Sequence, residues 1–191
     1  MAVVSALTRS VAGTDVPEPG TWKFDTGHTA AEFAGTHLMI NTVRGRFDRV
    51  SGWLEAAEKP EESRGELVIE TASLTSGFRD RDEHLKSPDW LDVEHHPLII
   101  FRSTGLEFVT GSTWRLHGEL TIRGITHPVD AHATFGGSSV DPWGNEKIGF
   151  SVTAEIDREL WDLCWNLPLD MGGWVVSRRV WLTVNVEAVR T

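Results

Sequence analysis

His84, His95 and His96 stand in one short stretch with Asp80, Asp82, Asp92 and Glu94. Imidazole and carboxylate are good zinc ligands. Arg79, Asp80, Arg81 and Asp82 could also orient His84 as a base. Together they would make a metal-assisted hydrolase or isomerase. The spacing argues otherwise: there is no H-x-x-x-H pair, and two adjacent histidines rarely ligate one ion. Alternating charges also form networks that tie a loop to a barrel end. On that reading His84 bonds backbone or carboxylate groups, while His95 and His96 face solvent. No serine sits in a nucleophile elbow, and no glycine loop could cradle phosphate. Cys164, between Leu163 and Trp165, suggests a buried thiol.

These residues lie in the segment Phe78–Phe101, which interrupts a chain otherwise patterned as strands. Phe78–Lys86 has no strand alternation. Ser87-Pro88-Asp89 has the form of a helix start, with Ser as N-cap and Pro at the first helical position. A short helical segment is expected between about 79 and 92, with Trp90 and Leu91 facing inward. Pro97 ends the connection before the apolar run Leu98–Phe101.

Elsewhere the period is two. Ile148, Phe150, Val152, Ala154 and Ile156 alternate with Gly149, Ser151, Thr153, Glu155 and Asp157. Val129, Ala131, Ala133 and Phe135 repeat the pattern, as do Val180, Leu182, Val184 and Val186. One buried and one wet face means antiparallel sheet. Eight strands are expected, at about 21–36, 42–56, 64–72, 97–109, 113–123, 127–137, 145–159 and 177–189. Arg123–Thr126 joins two of them, and Gly136–Asn145 reads as a longer hairpin loop. Eight antiparallel strands suggest a barrel or a sandwich. An eight-stranded barrel is filled by side chains or holds one small ligand.

Several inward positions are small: Ala31, Gly35, Ala131, Ala133 and Ala154. Either Phe33, Phe47, Phe101 and Phe150 fill that volume, or a ligand does. Phe78, Leu85, Trp90 and Leu91 are placed to cover the opening, and His84 or Arg81 to meet a polar head group.

Composition bounds the rest. The 191 residues fit one domain with a substantial core, and a net charge of -10 argues against binding a nucleic-acid backbone. Nine Trp and no Tyr supply large rings, and each buried indole N–H needs a partner. A single cysteine rules out an internal disulfide and fits a reducing compartment. Residues 1–20 read as a flexible arm and not a signal peptide, with the ordered domain spanning 21–191. No stretch approaches a membrane span, so stable membrane insertion is not expected and a cytoplasmic protein is the simplest reading.

Several motifs resemble those of the YceI-like family of polyisoprenoid-binding, lipocalin-like proteins. They are W-K-F-D-T-G-H-T-A-A-E-F at Trp22–Phe33 followed by His37, V-R-G-R-F at Val43–Phe47 with Gly52, and R-D-E-H-L at Arg81–Leu85. Asp89–Asp92, P-L-I-I-F-R-S at Pro97–Ser103 and G-E-L-T-I-R-G-I-T-H-P-V at Gly118–Val129 continue the match. Arg158, Trp161, Leu163, Trp165 and Asn166 complete it, with Asp162 where the family pattern has Gly. The resemblance implies an extended eight-stranded antiparallel lipocalin-like barrel around an elongated apolar pocket. It implies a long apolar cargo, such as an isoprenoid quinone, polyprenyl phosphate or fatty acyl chain, and no catalysis. Candidate ligand contacts are then Phe33, His37, Phe47, Phe78, Arg81, Asp82, His84, Leu85, Trp90, Leu91, Phe101, Leu120, Ile122, Phe135, Phe150 and Trp165. No cofactor, metal ligand or catalytic residue is assigned. Lipocalin-like relatives are often dimeric, and a homodimer would use the face carrying Trp181.

Overall fold

The computed structural model describes residues 7–11 and 13–191. Strands β1 (Thr8–Val11) and β2 (Thr14–Pro17) form a hairpin. They are followed by β3 (Gly20–Phe24), β4 (Ala30–His37), β5 (Asn41–Phe47), β6 (Val50–Ala56), β7 (Arg64–Glu70) and the two-residue β8 (Leu74–Thr75). Helix α1 (Arg79–Lys86) precedes β9 (Leu98–Thr110), β10 (Thr113–Ile122), β11 (Ile125–Val140), β12 (Glu146–Asp157) and β13 (Val176–Arg190).

Going round the sheet, β12, β11, β10, β9, β7, β6, β3 and β13 are each bonded to the next, and β13 bonds back to β12. These eight antiparallel strands close a barrel, so the ring leaves no edge. Strands β4 and β5 continue the ring upward, with β4 paired to the first half of β13 and β5 to β8. The expected strand at 21–36 is thus two strands on one partner: Trp22–Phe24 pair with Arg190–Ala188, and Ala30–Gly35 with Asn185–Val180. Between them Asp25 turns the chain, accepting bonds from Gly27 N at 3.0 Å and His28 Nδ1 at 3.0 Å. The strand at 42–56 is broken likewise at Asp48–Arg49, whose backbone N–H groups are held by Ser73.

Three other expectations differ from the structure. Residues 88–91 form turns and no second helix starts there, so Ser87, extended before proline, only ends α1. Its hydroxyl instead donates to His84 O at 2.7 Å. The loop expected over 136–145 shrinks to the turn 141–145, because Gly136-Gly137 makes a bulge inside β11. Asp141 closes that turn by accepting from Trp143 N and Asn145 N, each at 2.9 Å. Thirdly, the arm at 1–20 contains the β1–β2 hairpin. Its Leu7 and Val16 are buried, Arg9 donates to Ala57 O at 2.9 Å, and Thr8 bonds Ser138 at 2.6 Å.

The core has two parts. A lower cluster joins Trp22, Ala56, Phe135, Ile148, Val186 and Ala188 near the hairpin. An upper one runs from Ala31, Phe47 and Ile69 through Leu120 and Ile122 to Trp90, Leu91 and Trp161 below α1. No described helix is long and apolar enough to cross a membrane.

Candidate functional site: a two-chambered barrel interior

Between the two clusters lies an apolar chamber of about 230 Å³. The small inward residues Ala31, Ala131, Ala133 and Ala154 line it, as do Phe47, Phe101 and Phe150. The large rings do not fill the space the alanines leave, and the reason is glycine. A Cβ on Gly118 would lie inside contact distance of the Phe101 ring. The same holds for Gly45 and the Phe33 ring, and for Gly52 and the Phe24 ring. Each phenyl therefore occupies the space a neighbouring strand vacates by having no side chain. A cavity with such a lining stays dry and accepts apolar guests.

A second chamber, of about 390 Å³, lies above it between β4, β5, α1 and the start of β13. Phe33 faces this outer chamber and Phe47 the inner one, with their rings 5.7 Å apart. Both volumes together fall in the range of roughly 300–1,000 Å³ usual for small-molecule sites.

Helix α1 is held over the outer chamber by its own charged pair. Asp82 accepts from Ser76 N at 2.7 Å and Thr75 Oγ1 at 3.1 Å, and also from Ser76 Oγ. Arg81 donates to Ser76 Oγ at 2.7 Å and Ser76 O at 2.9 Å. Burial pushes the Asp82 carboxyl up, but these bonds from Ser76 and Thr75 outweigh it and hold the group below the usual carboxylate range. The charges at 81–82 thus clamp the 75–77 turn to the helix.

One turn on, the His84 ring packs edge-on against Trp165, centroids 4.6 Å apart, and against Trp90 at 6.2 Å. Its carboxylate neighbour within 4 Å is Asp89, at 3.4 Å. That is no metal ligand set. Among the described residues, the histidine–carboxylate group that does converge is Asp25, His28 and Glu187, at the β3–β4 turn. There Lys147 Nζ already bonds Asp25 at 3.0 Å and also Glu187. Lys147, then His28, hold the Asp25 carboxyl down at about 2.

Of the residues picked out by sequence, Phe47, Phe101, Leu120, Ile122 and Phe150 line the inner chamber. Phe33, His37, Phe78, Arg81, His84, Leu85, Trp90 and Trp165 line the outer one. Asp82 and Leu91 line neither, and Phe135 lies lower, beside the hairpin. His95 is exposed and bonds Asp92 at 2.9 Å, its affinity for a proton raised by that carboxylate. Cys164 is exposed, contrary to the buried thiol expected, because Trp161 and Leu163 take the inward positions of an alternating stretch.

Gly45, Gly52, Gly118 and Arg158 enter the sequence analysis only as motif residues, with no site role assigned to them. The signal for Arg158 was present: carrying the inward series 148, 150, 152, 154, 156 one step further reaches it, and it is 1% exposed. Asp162 has φ 56, the left-handed conformation glycine adopts most easily and Asp tolerates.

Comparison with known proteins matches the same architecture. A family model described as a YceI-like domain covers residues 22–188. A UPF0312 protein of Pseudomonas putida strain W619 is 33% identical over 166 residues, spanning 85% of this chain and 82% of its own. A UPF0312 protein of Azotobacter vinelandii is 34% identical over 164 residues, with the same coverage. Among solved structures, BcnA of Burkholderia cenocepacia superposes with a TM-score of 0.74 at 18% identity, covering 86% of this chain and 98% of that one. A polyisoprenoid binding domain from Saccharophagus degradans gives 0.68 at 13%, covering 91% and 100%.

Proposed function

The chain belongs to the YceI-like family, and on that premise we propose that it binds a long apolar molecule inside its barrel and stores or carries it without chemical change. The candidates are an isoprenoid quinone, a polyprenyl phosphate or a fatty acyl chain. The observation that carries this reading is the inner chamber, kept hollow by alanines and by phenyl rings laid on glycines. A purely structural barrel of this size fills its interior. The similarity to a polyisoprenoid binding domain supports the same reading. Each methylene moved from water into the chamber contributes about 0.8 kcal/mol, so useful affinity needs few polar contacts. The Phe33 and Phe47 rings, 5.7 Å apart, touch at the boundary of the two chambers, so a chain occupying both has to displace them. The lone cysteine supports placing this carrier in the cytoplasm.

Purified protein extracted with organic solvent is expected to release an apolar molecule identifiable by mass spectrometry. Protein stripped by that route and refolded is expected to retain an added isoprenoid quinone through gel filtration. If neither preparation holds any apolar ligand, the reading is wrong.

A further inference from the structure

The outer chamber contains two buried donors with nothing to bond. Arg158 donates from Nε to Ser177 O at 2.9 Å and from Nη1 to Leu163 O, and Nη2 has no partner. Trp90 is 7% exposed, and its indole Nε1 has no partner either. Both residues line the chamber, and the guanidinium carbon sits 4.9 Å from the centre of the Trp90 ring. Unpartnered buried donors are rare enough in folded proteins that each calls for a physical account.

Charge sharpens the point. Among the described residues no carboxylate lies within ion-pair distance of Arg158, although the chain as a whole is strongly acidic. Asp157 and Glu159 beside it in sequence are paired instead with Arg178. Burial consequently pushes the Arg158 guanidinium below its ordinary value. A buried cation without a counter-ion is costly, and proteins remove that cost by supplying an anion. The other ionisable groups on the chamber wall are Asp80, Arg81, His84 and His37. Arg81 is committed to Ser76, and Asp80 is a carboxylate that an incoming anion must avoid.

Trp22 offers a contrast. Its indole nitrogen is also unpartnered, but it is packed in the lower cluster and lines neither chamber. Arg9 Nε is unpartnered too, but Arg9 lines a separate cavity of about 70 Å³ beside the hairpin, so among the described residues only Arg158 and Trp90 bring unpartnered donors to the wall of either chamber.

We infer that the outer chamber is a head-group subsite for an anionic acceptor, a phosphate or carboxylate carried at the end of the apolar chain, received by Arg158 Nη2 and Trp90 Nε1. This rests on the carrier reading above and narrows it: the cargo is a single-chain anionic amphiphile, lying with its head under α1 and its tail in the inner chamber. A guanidinium and an indole N–H offer donors only, so a carboxylate or phosphate oxygen satisfies both, whereas a hydrocarbon end satisfies neither.

The test compares geranylgeranyl monophosphate, geranylgeraniol and inorganic phosphate by titration calorimetry. Wild-type protein is expected to bind the monophosphate at least about tenfold more tightly than the alcohol. Arg158→Met, which keeps much of the side-chain volume and loses the charge, is expected to abolish that preference while still binding the alcohol. Trp90→Phe keeps an aromatic ring but loses the N–H together with the pyrrole part of the indole, and is expected to weaken the monophosphate by roughly threefold to tenfold while the alcohol changes less. It also serves if Arg158→Met does not fold. Equal binding of alcohol and monophosphate overturns the head-group subsite but leaves the carrier. Binding of neither overturns both. Inorganic phosphate binding as tightly as the prenyl phosphate overturns the subsite in favour of a free-anion site.

Discussion

At Gly118 the absent side chain is what the Phe101 ring rests on, and a hydrogen is the only substituent that fits. Gly118→Ala should push that ring toward the inner chamber and crowd Arg102 O, 2.6 Å from the new methyl position. A loss of about 1–3 kcal/mol in denaturant unfolding is expected for such overpacking. In a Phe101→Ala background the same substitution should cost clearly less, since coupled neighbours are not additive. An undiminished cost there would show that the ring is not the obstacle. This pairing is hard to read from sequence, because Phe101 and Gly118 lie on different strands and a glycine in a strand signals several things. Arg158 differs: it sits in phase with Ile148–Ile156, and only the habit of leaving arginine outside hides it.

At the scale of elements, period two located the β12, β11 and β13 faces, since each buries alternate residues against one core. It could not show where the strands at 21–36 and 42–56 break. Those breaks depend on cross-strand partners: Ser73 at the second, and at the first Asp25 with Lys147 and Glu187 from β12 and β13. The first junction gives a pH prediction. Asp25 is held at about 2 against an ordinary 3.8. A depressed carboxyl adds stability above its unfolded value, and that stability drains away as pH falls through about 2. Lys147→Met should therefore lower the melting temperature at pH 7 by about 2–4 °C, the size expected for a modest contact in a chain this long. The gap from wild type should close between pH 4 and pH 2. A gap that persists at pH 2 would assign the loss to packing of the lysine stem.

The β1–β2 hairpin was illegible for another reason: two four-residue strands with little alternation resemble an arm until their partner is known. Their partner is the lower end of the barrel, where Val16 and Arg9 line a small 70 Å³ cavity with Trp114 and Phe135. Removing residues 1–18 should expose those aromatics. The expected result is brighter fluorescence of a hydrophobic dye and a lower melting temperature, with the far-ultraviolet spectrum of the barrel retained. Unchanged dye binding would mean that the hairpin covers nothing the barrel needs covered.

For the whole molecule, the hollow interior sets stability against function. An eight-stranded barrel can pack its centre solid, yet here Ala131 and Ala154 leave the inner chamber at about 230 Å³. Filling it with protein atoms should stabilise the empty protein, because the lining regains the dispersion contacts it now lacks. Ala131→Leu and Ala154→Leu are each expected to raise unfolding free energy by about 0.5–2 kcal/mol, the usual return of cavity filling. In the same variants, retention of an added isoprenoid quinone should fall, since leucine occupies the volume the chain would take. Stability and binding should thus move in opposite directions, most strongly in the double variant if the two leucines do not collide. A third measurement separates ligand exclusion from general damage: binding to the outer chamber, which neither alanine lines, should survive for a ligand too short to pass Phe33 and Phe47. Variants that gain stability and still retain the quinone would show that the apolar chain lies elsewhere, and that the hollow is only an unfilled core.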